Sequence, residues 1–206
     1  MTDYLQLKRE PYSLTLKEWC LLPFMLIPLL AYRKSSYRDR LEKDVDRFWS
    51  VHYGCLPANY DQAIVRELVN CIEFRNLFFF RCGRIGRILS HISLFFFKKQ
   101  QLLCFGVDRD RLGGGIFIQH GYCTVITAQS IGDNFWVNQN VTIAYSGNGI
   151  PVIGDNVHIA SDANVVGGIH IGNNVTIGAG TTVVRDVPDN TLVVSQKPRY
   201  IDKNLR

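Results

Sequence analysis

From residue 131 onward an aliphatic side chain returns at every sixth position. Ile131, Val137 and Ile143 form one run, and Ile153, Ile159, Val165, Ile171, Ile177 and Val183 form a second. A glycine or alanine often follows, as at Gly132, Ala144, Gly154, Ala160, Gly172 and Gly178. A helix repeats near 3.6 residues and a strand at 2, so neither alone yields six. Hexads are the mark of a parallel β-helix, in which each makes one flat side of a triangular coil. The aliphatic residue points into the prism, and the small one lets the chain turn the corner. The segment from Ala144 to Pro151 puts the two runs out of phase and reads as an inserted loop. Coils are expected through residues 131–148, 153–170 and 171–188 after an incomplete opening coil, with Pro188 ending the pattern. Gly113, Gly114 and Gly115 allow the tight bends of the entry.

Ahead of the hexads the pattern is helical. Residues 1–18 read as a polar lead-in, and Trp19 to Tyr32 is the most apolar window. That window is about 14 residues long, short of the roughly 20 a spanning helix needs, and Pro23 and Pro28 interrupt it. It reads as a buried helix or packing hairpin. An interfacial membrane segment is the alternative, because Arg33, Lys34, Arg38 and Arg40 follow at once. Tyr37 to Val51 alternates charges at helical spacing and reads as a solvated helix. Asp61 to Phe80 reads as another helix, with Ile64, Leu68, Cys71 and Ile72 on one face. The aromatic clusters at Phe74–Phe80 and Leu94–Phe97 close on cations and are expected to cap the open end of the solenoid. The expected organisation is a helical domain over 1–106, a β-helix over 107–190 and a tail over 191–206. The fold class is mainly β.

Composition narrows the function. Of the net +5, the first 112 residues carry about +6 and the rest about −1. The cations are scattered among aromatics with no recognised nucleic-acid module, so no nucleic-acid partner is expected. A negatively charged membrane surface suits that half better. The six cysteines (Cys20, Cys55, Cys71, Cys82, Cys104 and Cys123) form no CxxC pair. Met1 to Glu10 is polar and mixed in charge, which is not a secretory signal. Reduced, mostly buried thiols in a cytoplasmic protein follow, peripheral at the inner membrane face in the alternative reading, with no metal site.

The candidate chemistry lies in Gly113-Gly114-Gly115-Ile116-Phe117-Ile118-Gln119-His120-Gly121. Here the chain resembles the serine acetyltransferase-like branch of the hexapeptide-repeat acyltransferases. The shared features are the glycine-rich entry, a histidine after an apolar pair, the hexad ladder and the loop ending in Pro151. The closing Ile177-Gly178-Ala179-Gly180, running to Val187-Pro188, and Arg75-Asn76-Leu77-Phe78 before the solenoid complete the likeness. The resemblance implies a left-handed β-helix, a homotrimer with a groove between prisms, and acetyl-CoA as co-substrate. His120 matches the catalytic histidine, and an imidazole suits a base that takes a hydroxyl proton near neutrality. Direct attack on the thioester is expected; a route through Cys123 is the alternative. Asp108 or Asp110 is expected to orient His120, or else to pair with Arg109 and Arg111. For acetyl-CoA the resemblance points to Ser161 and Ala179, with Gly168 and Gly180 allowing close approach and Lys197 and Arg199 meeting phosphates.

Two departures bear on the acceptor. Gln119 stands where true serine acetyltransferases have an aspartate, and Gly149-Ile150 where they have Arg-His before the loop proline. Each lost charge-assisted bond is worth about 1.5–3 kcal/mol. On that ground a saccharide hydroxyl, held by Gln119, Tyr122, Asn138, Gln139 and Tyr145, is the expected acceptor, in surface polysaccharide synthesis. Serine O-acetylation is the alternative, and an inactive solenoid scaffold is the rival of another class.

Overall fold

The computed structural model describes residues 4–92 and 99–196. The polar lead-in is tied down: β1 (Arg9–Glu10) pairs in parallel with β2 (Leu56–Pro57). Tyr4 is buried, and its hydroxyl donates to Asn134 Oδ1 at 2.9 Å. Thr15 opens α1 (Leu16–Arg33) with a capping box, its hydroxyl accepting from the Glu18 N–H while Glu18 accepts from the Thr15 N–H. Pro23 and Pro28 both lie inside this helix. Met25, Leu29, Ala31 and Tyr32 are buried, whereas Trp19, Leu26, Ile27 and Leu30 are exposed. No helix of the described residues is long and apolar enough to cross a membrane.

α2 (Arg38–Tyr53) is not the solvated helix its charges suggest. Leu41, Val45, Phe48 and Trp49 face the core, and Asp44, Asp46 and Arg47 are buried with them. Asp46 accepts from Arg9 at 3.1 Å and from Tyr60 at 3.0 Å. The expected single helix over 61–80 is two, α3 (Tyr60–Asn70) and α4 (Ile72–Arg81). Cys71 breaks them with an extended backbone, φ −115° and ψ 114°, and its sulfur caps α4 by accepting from the Phe74 N–H. α5 (Gly83–Ile92) packs on α4 and α1.

The solenoid starts at Leu103, earlier than the expected boundary at 107. The first coil holds β3 (Leu103–Phe105) and β4 (Phe117–Ile118), and the second β5 (Thr124–Ile126), β6 (Ser130–Ile131) and β7 (Trp136–Val137). The third holds β8 (Thr142–Ala144), β9 (Val152–Ile153) and β10 (His158–Ile159), and the fourth β11 (Asn164–Val166), β12 (His170–Ile171) and β13 (Thr176–Ile177). The last has β14 (Thr182–Val183) and β15 (Leu192–Val193), so the ladder continues past Pro188. All pairing between coils is parallel and makes three faces, β3-β5-β8-β11-β14, β6-β9-β12 and β4-β7-β10-β13-β15. His158 and His170 fall on different faces, as their spacing requires.

The register places like residues above one another, Ile159 on Val137 and Ile177 on Ile159. These aliphatics are fully enclosed, each contributing about 1.5–3 kcal/mol by burial. The corner before the third face is turned not by the small residue but by an asparagine in the left-handed region, at Asn134, Asn156, Asn174 and Asn190. Their amides form ladder bonds of 3.0 Å, Asn134 to Asn156 and Asn174 to Asn190. The small residues serve close approach instead: a Cβ on Gly132 would lie 2.2 Å from Asp155 Oδ1 and 2.7 Å from the Gly154 carbonyl carbon. The helical domain covers the first coil, with Phe48 against Phe117 at 4.8 Å and Phe80 stacked on Phe105 at 4.7 Å. The second aromatic cluster, 94–97, lies outside the described residues.

Candidate active site

His120 sits where the chain leaves β4 for β5. Ile118 and Ile126 both point inward, eight positions apart, whereas Val137 to Ile143 and Ile159 to Val165 take six. The two additional residues bulge the corner. His120 (φ 57°) and Cys123 (φ 49°) both adopt the left-handed conformation there, and the carbonyl of His120 accepts from the Tyr122 N–H. The His120 side chain is exposed, and among the described residues its imidazole has no hydrogen-bond partner. Both ring nitrogens are therefore open to a substrate.

The same edge carries Ser161, Ala179 and Gly180 in later coils. Backbone bonds join it upward, Asn140 N to Tyr122 O at 2.8 Å, Asp162 N to Gln139 O at 3.2 Å and Gly180 N to Ser161 O at 2.9 Å. At about 4.8 Å per coil, Ala179 stands on the order of 14 Å along the edge from His120. A Cβ on Gly180 would meet nothing within 4 Å, so glycine serves the left-handed turn (φ 65°) and leaves the edge open. Gly168 lies elsewhere, at the far end of the first face. A Cβ there would be 2.2 Å from the Asn148 carbonyl oxygen, and the Gly168 N–H donates to Asn148 Oδ1 at 3.1 Å. It makes room for the inserted loop, in which Ser146 and Gly149 form an antiparallel bridge. Lys197 and Arg199 lie outside the described residues.

Gln119 is committed within the molecule. Its Oε1 accepts from Trp136 Nε1 at 3.2 Å and from Asn138 Nδ2 at 3.3 Å. The indole N–H is a donor only, which fixes the amide with its oxygen toward Trp136. Asn138 Oδ1 in turn lies 3.0 Å from His158 Nε2, so that nitrogen carries the proton. Burial, and then the Arg47 guanidinium, lower the pKa of His158. Arg47 stacks on Trp136 at 5.2 Å and on Tyr4 at 4.7 Å, and burial lowers its pKa too. Among the described residues its Nε and Nη2 are buried without a hydrogen-bond partner, as is Gln139 Oε1. Trp136 and His158 also line a cavity of about 220 Å³ with Asn156, Asn174 and Thr176. Tyr122 is exposed beside His120, and Tyr145 is exposed on the inserted loop. Neither Arg47 nor His158 stood out in the sequence, since their partners lie on other coils or in the other domain.

Asp108 precedes a 3-10 turn at Arg109–Arg111, and Asp110 lies within it. Asp110 Oδ1 accepts from the Tyr37 hydroxyl at 2.8 Å, and Arg40 donates to the Arg109 and Asp110 carbonyls at 2.7 and 3.1 Å. Among the described residues neither aspartate bonds to His120 or pairs with Arg109 or Arg111. All six cysteines are free, but Cys20, Cys104 and Cys123 are exposed and none is fully buried, unlike the expectation. His52, Glu67 and Cys71 bring ligand-type atoms within 4.8 Å of one another in the helical domain. The 3.2 Å His52–Glu67 bond accounts for that approach.

Residues 150–185 match the family model described as bacterial transferase hexapeptide (six repeats). The chain is 42% identical over 125 residues to a serine acetyltransferase of Synechococcus elongatus, covering 57% of this chain and 48% of that protein. It is 43% identical over 150 residues to a serine acetyltransferase of Staphylococcus aureus (strain Mu50), covering 69% and 62%. The chain thus spans about half to three-fifths of the length of the curated relatives it matches. Among solved structures, Neisseria gonorrhoeae serine acetyltransferase in complex with serine superposes with a TM-score of 0.59 at 27% identity, covering 84% of this chain and 73% of that one.

These relatives overturn the saccharide acceptor expected from Gln119 and Gly149-Ile150. The physical reason lies in the amide network: the Gln119 oxygen is taken up within the molecule by Trp136 and Asn138, so this side chain does not report the acceptor. By repeat, fold and similarity, the chain carries a hexapeptide-repeat solenoid and resembles serine acetyltransferases.

Proposed function

We propose that this chain transfers the acetyl group of acetyl-CoA to the side-chain hydroxyl of L-serine, with His120 as general base. The observation that carries the reading is the unpartnered imidazole of His120 on the solenoid edge shared by Ser161 and Ala179. The similarity to serine acetyltransferases supports the choice of acceptor.

A ring nitrogen of His120 accepts the hydroxyl proton as the serine oxygen adds to the thioester carbonyl. Backbone N–H groups at the corner turns hold the resulting oxyanion. Collapse breaks the C–S bond, and the imidazolium returns its proton to the departing thiolate. The left-handed bulge holds the ring outward without using either nitrogen. Ser161, Ala179 and Gly180 line the approach of the pantetheine arm, where small side chains leave space along the edge.

Hexapeptide-repeat acyltransferases are typically trimers, and the same assembly is proposed here, with the helical domain as a peripheral contact with a membrane. The test is release of CoA thiol with free L-serine as acceptor, beside calorimetric binding of acetyl-CoA. Serine-dependent release is the expected result. Binding without release under serine removes the acceptor, and absence of binding favours an inert scaffold.

A further inference from the structure

α1 is apolar on every side, yet only one side is covered by protein. Met25, Leu29 and Tyr32 pack inward, and Trp19, Leu26, Ile27 and Leu30 stand outward at the i, i+3, i+4 spacing of a second apolar stripe. α5, packed against α1, adds Ile85 and Ile88. Each of these six side chains is at least half exposed. A helix hydrophobic all round is normally enclosed, and a monomer seldom leaves such a patch to water.

The charges around the patch select what covers it. Neither helix presents a carboxylate to solvent: the one acid in α1, Glu18, is buried against Tyr12, Thr15 and Asn70, and α5 contains none. Lys17 and Lys34 at the two ends of α1, and Arg84 on α5, are exposed cations. A second copy docking symmetrically would set this face against itself, cation against cation with no acid to pair. Anionic headgroups above an apolar acyl layer complement it in both respects.

We infer that the outer face of α1 and α5 docks on an anionic lipid surface. α1, about 27 Å long, lies in the plane of the interface with its inner side held by α3. The inference rests on the membrane-contact part of the proposed function and is independent of acetyl transfer.

The test is co-sedimentation of the full chain with phosphatidylcholine vesicles, with and without phosphatidylglycerol, while following tryptophan emission. The expected result is binding to the anionic vesicles only, released by salt, with a blue shift carried by the exposed Trp19 and lost in Trp19→Phe. The double variant Leu26→Glu, Ile27→Glu keeps its circular dichroism and its activity on soluble substrates but loses the sedimentation. Wild-type protein that stays in the supernatant with anionic vesicles overturns the inference. So does a double variant with a lower assembly mass than wild type, which assigns the face to a second copy.

Discussion

Arg81 and Asp44 meet at 2.9 Å with both side chains fully enclosed, and the pair joins the helical domain to the first coil. Arg81 also donates to the carbonyls of Leu112 and Gly113, and Asp44 accepts from the Ile116 N–H at 2.8 Å. The glycine-rich entry ahead of His120 is therefore clamped from the helical side. Removing one partner leaves a buried charge alone, which destabilises by about 3–5 kcal/mol. Arg81→Met and Asp44→Asn are each expected to lower the melting temperature strongly, and joint replacement by apolar residues to recover part of the loss. A near-native melting temperature in either single variant contradicts the clamp.

Two histidines give stability opposite dependences on pH. Burial and Arg47 lower the pKa of His158, so near and below the ordinary value of about 6.5 the unfolded chain binds the proton better than the fold. Its contribution is full above that value and is lost as pH falls through the folded pKa. The bond to Glu67 raises the pKa of His52, whose contribution is full below about 6.5 and is lost as pH rises through its folded pKa. Urea unfolding between pH 5 and 8 checks both. His158→Gln flattens the acid side of the profile and His52→Gln the neutral side, and unchanged slopes contradict these assignments.

Cys123 shares the bulged corner with His120 and is exposed, which makes it a rival nucleophile. Direct attack gives it no part in the chemistry. Cys123→Ser is expected to keep turnover within about threefold of wild type, since a conservative surface change is energetically small. Loss of turnover, with an acetylated thiol trapped on the wild-type protein, contradicts direct transfer.

The solenoid was legible because its inward residues obey a local period: Ile153, Ile159 and Val165 mark their faces without reference to anything distant. His120 was singled out by resemblance, and the fold puts its side chain on an exposed corner. What escaped notice depends on pairing across the chain. Asp44, Asp46 and Arg47 look like a solvated helix face, yet Asp44 and Asp46 find Arg81 and Arg9, each 37 residues away. Gln119 looks like a change of acceptor, yet its amide is held by Trp136 and Asn138 of the next coil. Cys71 breaks a helix that hydrophobic spacing carries straight through. Non-local hydrogen bonds decide the first two cases and a local cap on the Phe74 N–H marks the third, and hydrophobic periodicity records neither.

At the centre of the proposed function is one side chain, the outward imidazole of His120, to which we assign the proton taken from serine as acetyl leaves its thioester. The direct measurement is serine-dependent CoA release by wild type and by His120→Ala, with circular dichroism confirming that both fold. The exposed site predicts an unchanged fold and a fall in kcat of at least about 100-fold, the scale of a lost general base. Serine turnover near the wild-type rate in His120→Ala contradicts the account.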